Sequence, residues 1–122
     1  MLFKILIFIL LTQSLFAKPI VYFILSNDCP ICHTLMNDIK SNNKIKELLS
    51  IEYETRIIDT MNQDIPDFLP FEGIVPQILI IDNNQLIGNA LQGAIPSSEL
   101  TRYLIDVKNY LKNKNKKVYY AF

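Results

Sequence analysis

The chain has little of three things: cysteine, with two residues, histidine, with one, and charge of either sign in excess, since twelve Lys/Arg balance twelve Asp/Glu over 122 residues. Each scarcity excludes something. A balanced charge lacks the basic surplus that nucleic-acid binding requires, so no nucleic-acid partner is expected. Two cysteines cannot build the multi-bridge framework on which very small secreted domains rely. Together with the lone histidine they supply three ligands where a structural zinc site takes four, so no metal is expected. There are no internal repeats, and no linker divides the chain.

Long apolar runs are also scarce. The first seventeen residues, MLFKILIFILLTQSLFA, come nearest, with Lys4 as a single-charge start, Ile5 to Leu11 as a short apolar stretch and Ala17 as a small residue for cleavage. Thr12, Gln13 and Ser14 end the run well short of the roughly 20 apolar residues of a membrane span. Residues 1–17 therefore read as a secretory signal peptide, and residues 18–122 as one exported domain, periplasmic or otherwise outside the cytosol. Membrane contact is expected only if the segment is retained as an anchor, an alternative that the bulky Leu15 leaves open. A domain of this size needs no disulfide to fold. Without Lys4 the domain has eleven Lys/Arg, five of them within residues 108 to 117, which read as the polar end of a last helix and a solvated tail.

The elements follow from pattern. PIVYFILS, residues 19 to 26, is apolar without alternation, as in a strand buried on both faces. Asn27 and Asp28 are helix-start residues and Pro30 suits a first turn, so a helix is predicted over 29 to 40 with Ile31, Leu35, Met36 and Ile39 as its apolar face. SNN at 41 to 43 interrupts it, and KIKELLS resumes helix. IEYETRIID, 51 to 59, reads as a second strand and residues 60 to 73 as an irregular segment with a short helix. VPQILIID is a third strand, DNN a tight turn and QLIGNALQG a fourth strand, giving a hairpin over 76 to 92. From Pro96 an amphipathic helix, capped by Ser97 or Ser98, buries Leu100, Leu104, Val107 and Leu111. Strands joined through a helix are parallel and hairpin strands antiparallel, so the sheet is mixed.

The chemistry concentrates in NDCPICHTLM. Cys29 and Cys32 stand where a strand gives way to a helix, and the helix N-terminus stabilises negative charge on a sulfur. Cys29, nearer the free N–H groups, is expected to attack, and Cys32, one turn on, to resolve the mixed disulfide. A structural bridge of such short span would stabilise little, because loop-closure stabilisation grows with loop length. CPICH also satisfies the c-type haem attachment pattern, with His33 as one axial ligand and Met61 as a candidate second. Single-haem cytochromes of that kind are mostly helical, against the strand and hairpin predicted here, so no cofactor is expected. Copper handling and a non-catalytic peptide-binding module remain alternatives.

Strand, CPIC, helix, strand, then GIVPQILI before a hairpin and a terminal helix resembles the thioredoxin-fold oxidoreductases over residues 19 to 112. Pro76, 44 residues after Cys32, falls where that family has a cis-proline beside the cysteine pair, and LQGAIPSSEL looks like its glycine turn into the last helix. The interrupted helix looks most like exported members. The resemblance implies an α/β, thioredoxin-like fold, a four-stranded mixed sheet with flanking helices, and a Cys29–Cys32 redox disulfide. It also implies a substrate site in which the backbone of Val75, next to cis-Pro76, pairs with an extended client. Two departures stand out: Phe23 occupies the place of the family's buried acid, and the dipeptide between the cysteines is Pro-Ile. His33, one turn beyond Cys29, is a candidate modulator of its thiolate. The expected activity is thiol-disulfide exchange, by a monomer, with thiol- or disulfide-containing client proteins and a redox partner. N-terminal sequencing of the exported protein is expected to start at Lys18; a chain still beginning at Met1 would mean that the segment is kept as an anchor.

Overall fold

The computed structural model describes residues 17 to 120, with side chains as far as residue 114. Apart from Ala17, the predicted signal peptide lies outside the described residues, as do the side chains of the terminal VYYAF. Strand β1 (Ile20–Leu25) is buried along almost its whole length because it is central. It pairs in parallel with β2 (Glu54–Asp59) and antiparallel with β3 (Gln77–Asp82). Strand alternation then sends Val21, Phe23 and Leu25 to one face and Tyr22 and Ile24 to the other, and β3 divides likewise, with Ile78 and Ile80 opposed to Leu79 and Ile81.

The first face is covered by helices α1 (Pro30–Ser41), α2 (Asn43–Glu52) and α3 (Ser97–Tyr120). Leu35, Ile39, Ile45, Leu48, Leu100, Leu104 and Val107 complete that core. The predicted interruption resolves to one residue: Asn42 gives its N–H to the Ile39 carbonyl at 3.2 Å and its side-chain oxygen accepts from the Ile45 N–H at 3.1 Å. It closes one helix and caps the next. Two predicted boundaries shift. Ile51 and Glu52 belong to α2 rather than to the second strand, and Glu52 there meets Lys108 at 3.6 Å. α3 runs past residue 112, and the Pro96 carbonyl, not a serine, stands at its start, accepting from Leu100 N–H at 3.1 Å.

The second face is covered by residues 60 to 73, where the structure has turns and no helix. Pro66 and Pro70 withhold donors from any helical ladder. Asp59 closes the first turn, its two carboxylate oxygens accepting from the Met61 N–H and the Asn62 side chain. Leu69 is buried there with Ile65 and Phe71 beside it. Phe68 meets the Tyr22 ring edge-on at 6.1 Å between centroids. Gln77, itself buried, ties the segment down by donating to the Pro70 carbonyl at 3.0 Å and accepting from the Glu72 N–H at 3.2 Å.

The sheet has five strands, not the four expected. Asn83 and Asn84 take positive φ of 50° and 63°, the two-residue turn that DNN foretold, and bring β4 (Gln85–Leu86) back onto β3. At Gly88, φ +71°, the returning chain leaves the ladder, and it rejoins as β5 (Leu91–Gln92). Between the pairs Ile81–Leu86 and Ile78–Leu91, five steps on one side face three on the other, so a two-residue bulge splits the predicted fourth strand.

Tyr53 joins α2 to α3 by donating its hydroxyl to the Leu104 carbonyl at 2.5 Å. Burial, with Tyr103 and Glu52 nearby, holds its pKa well above the ordinary value, and burial raises Tyr103 to about 12. A tyrosine that keeps its proton longer in the folded than in the unfolded chain contributes stability that is complete below about pH 10 and is lost above it. Urea midpoints are therefore expected to hold up to about pH 9 and fall beyond about pH 10. Tyr53→Phe should cost about 1 kcal/mol at neutral pH and flatten that fall, and an unflattened profile would exclude Tyr53 as its source.

Candidate functional site

Beyond Leu25 the chain turns through Ser26, Asn27 and Asp28, and Pro30 opens α1. A proline in the first helical position has no N–H to lose, which leaves the residue before it as the cap. That residue is Cys29. Its sulfur accepts from the Cys32 N–H at 3.1 Å and its carbonyl accepts from the His33 N–H at 3.2 Å. The predicted starters, Asn27 and Asp28, instead form the turn, in which the Ser26 hydroxyl donates to the Asp28 carboxylate and the Cys29 N–H reaches the Ser26 carbonyl at 3.2 Å. A sulfur thus occupies the place that a hydroxyl or carboxylate usually takes at a helix start.

Cys29 and Cys32 are joined by a disulfide, with Cα atoms 5.2 Å apart. The two sulfurs have unlike surroundings. Cys29 is partly exposed, at the positive end of the helix dipole, and the first turn contains no acidic residue. Cys32 is 2% exposed and belongs to the apolar core that includes Phe23 and Leu35. An anion is favoured on the first and disfavoured on the second.

Val75 and Pro76 lie at the same end of the sheet. Ile24 of β1 faces Gln77 of β3, so the register continues to Leu25 beside Pro76, and Cys29 follows four residues later. The Val75–Pro76 bond is cis. Pro76 is buried and its carbonyl accepts from the Gly93 N–H at 3.0 Å. Val75 is partly buried against both cores. Among the described residues, neither its N–H nor its C=O makes a hydrogen bond.

The apolar face predicted for α1 needs one correction: Ile31 is 47% exposed and stands outside the core. Ile74 is 49% exposed, so each sequence neighbourhood, CPIC and GIVP, presents an uncovered isoleucine. Sequence pattern had no signal for Ile74; for Ile31, the clue was spacing, because the buried stripe of α1 is Cys32, Leu35 and Ile39 and a residue one position before Cys32 points about 100° away from it.

His33 is exposed, and its Nε2 lies 2.8 Å from the Asn27 carbonyl. A carbonyl only accepts, so this nitrogen carries a hydrogen. The ring's hydrogen-bond partner is the turn before the cysteines rather than either sulfur. His33 also lines a pocket of about 250 Å³ that reaches Cys32 and is bordered by Met36, Lys40, Ile57 and Asp59. Sequence order hid this pocket, because Ile57 and Asp59 reach it from the parallel strand β2. Met61 is exposed on the segment after that strand. Among the described residues no three His, Cys, Asp or Glu side chains group as a metal site, and no helix is long and apolar enough to cross a membrane.

No protein-family model matches the chain, and no curated protein matches it. Among solved structures, the chain is similar to the solution structure of a thioredoxin from Thermus thermophilus, with a TM-score of 0.58 and 16% identity, covering 74% of this chain and 73% of that one. The fold is thioredoxin-like: a mixed sheet, helices packed on it, and a disulfide-bonded C-x-x-C at the junction of strand and helix.

After reduction, iodoacetamide is expected to label Cys29 at least tenfold faster than Cys32, as read by mass spectrometry of the digested protein. Equal labelling would contradict the asymmetry between the two sulfurs.

Proposed function

We propose that the protein is an exported thiol-disulfide oxidoreductase, periplasmic or in a comparable oxidising compartment, with residues 1–17 as its export signal. It exchanges disulfides with client proteins through Cys29 and Cys32. The observation that carries this reading is the Cys29 sulfur at the cap of α1, accepting the Cys32 N–H while bonded to the sulfur of Cys32. In that position a thiolate on Cys29 is stabilised without a separate base, which suits it both to attack and to leave. The likeness to a thioredoxin agrees with the same reading.

In the oxidising direction, a client thiolate attacks the Cys29 sulfur, a client–Cys29 bond forms, and the electron pair of the broken disulfide passes to Cys32. A second client thiolate then attacks the client sulfur of that mixed disulfide and Cys29 leaves as a thiolate. The client is oxidised and the pair reduced by two electrons, which a redox partner removes. In the reducing direction Cys29 attacks a client disulfide and Cys32 resolves. The client lies against the rim at Val75 and Pro76, as an added strand on the unpaired N–H and C=O of Val75. Exposed Ile31 and Ile74 favour apolar side chains near the client cysteine.

Cys32→Ser removes resolution but leaves attack, so it is expected to accumulate client proteins as mixed disulfides on Cys29. These would appear as reductant-sensitive bands on non-reducing gels, and Cys29→Ser should abolish them. If Cys32→Ser traps nothing under either oxidising or reducing conditions, the oxidoreductase reading fails.

A further inference from the structure

We propose that His33 is the proton carrier for Cys32, acting through water in the pocket beside the disulfide. The inference rests on the exchange reaction above and gives that reaction its proton path.

Attack at Cys29 leaves an electron pair on the Cys32 sulfur, which is 2% exposed and packed with Phe23 and Leu35. Cys29 has a backbone N–H to receive negative charge; Cys32 has an apolar core, and the strand residue at position 23 is a phenylalanine with no proton to give. The thiolate that forms there needs a proton. The pocket of about 250 Å³ that reaches Cys32 has room for several waters, a water's share of liquid volume being about 30 Å³.

Three ionisable side chains line it: His33, Lys40 and Asp59. Asp59 is committed to its turn, with one oxygen on the Met61 N–H at 3.1 Å and the other on the Asn62 amide at 2.8 Å. Lys40, in the last turn of α1, supplies positive charge that favours a thiolate rather than quenching it. His33 is placed differently. Its Nε2 faces the Asn27 carbonyl and carries a hydrogen in either charge state, so that contact holds the ring in both. Proton exchange is thereby confined to Nδ1, which has no hydrogen-bond partner among the described residues. The charged groups that share the ring's pocket are Asp59 from β2 and Lys40 from α1; Asp28, next to Asn27 in the turn, takes the Ser26 hydroxyl on its carboxylate.

When a client thiolate breaks the disulfide, the proton on Nδ1 of the imidazolium passes through a pocket water to the Cys32 sulfur, leaving a neutral imidazole. When Cys32 resolves a mixed disulfide, its thiol proton returns to Nδ1 as its sulfur bonds to Cys29 and the client sulfur departs with the electron pair.

The test is the rate at which reduced glutathione cleaves the Cys29–Cys32 disulfide, followed by stopped flow from pH 4 to 9 and divided by the glutathione thiolate concentration. In the wild-type protein this normalised rate is expected to be higher at the acid end than at the alkaline end, because only the protonated ring can deliver a proton to Cys32. His33→Gln, with an amide that can still donate to the Asn27 carbonyl, should be about tenfold slower at the acid end and show no such difference. His33→Ala should match it. A His33→Gln protein within twofold of wild type, or one that rescues a defect of His33→Ala, assigns His33 to holding the turn and overturns the proposal. A wild-type disulfide that glutathione does not cleave at all overturns the exchange reaction itself.

Discussion

The architecture depends on the double pairing of β1. A strand hydrogen-bonded on both edges and packed on both faces has no freedom left, and it ends four residues before Cys29. The partly exposed Cys29 sulfur is thereby anchored to a strand paired on both of its edges. Both neighbours of β1 contribute to the same end: β3 begins there with Gln77, directly after Pro76, and β2 finishes there with Asp59. The redox pair, the rim at Val75 and the pocket beside Cys32 all follow from the pairing of three strands.

Within this frame the chemistry is one of contrast between two atoms of the same kind. Cys29 sits where a backbone N–H reaches its sulfur and Cys32 lies in the apolar core, although the two belong to one helical turn. Pro30 contributes to this difference, because by opening the helix it fixes Cys29 outside and Cys32 inside. Phe23, packed in the same core as Cys32, sharpens it further, since a phenylalanine can neither store nor release a proton.

Much of this was legible from local pattern. The unbroken apolar stretch before Cys29 reads as a central strand because only such a strand has no wet face, and Leu100, Leu104, Val107 and Leu111 fall on one stripe of α3 by spacing alone. Positions decided by partners distant in sequence were not legible. Ile51 and Glu52 look like strand residues until α3 lies alongside and Lys108 reaches Glu52. QLIGNALQG reads as one strand; how far it bulges from β3 at Gly88 before rejoining at Leu91 is set by the pairing with β3. At the site, C-x-x-C and Pro76 could be read directly, whereas the choice of Cys29 as cap, the turn of His33 toward Asn27 and the pocket shared with Asp59 required the fold.

The hydrogen bonds around Gln77 bear on recognition as much as on folding. Its amide fastens Pro70 and Glu72 on one side of the rim, and on the other Gly93 fastens the Pro76 carbonyl. The stretch carrying Ile74 and Val75 is therefore held at both ends before any client arrives. The conformational entropy of ordering that edge is lost once, during folding, rather than at each encounter. In the exchange proposed above, a client strand surrenders only its own freedom on docking, so that short contacts keep its cysteine beside Cys29 for the time a disulfide takes to change hands.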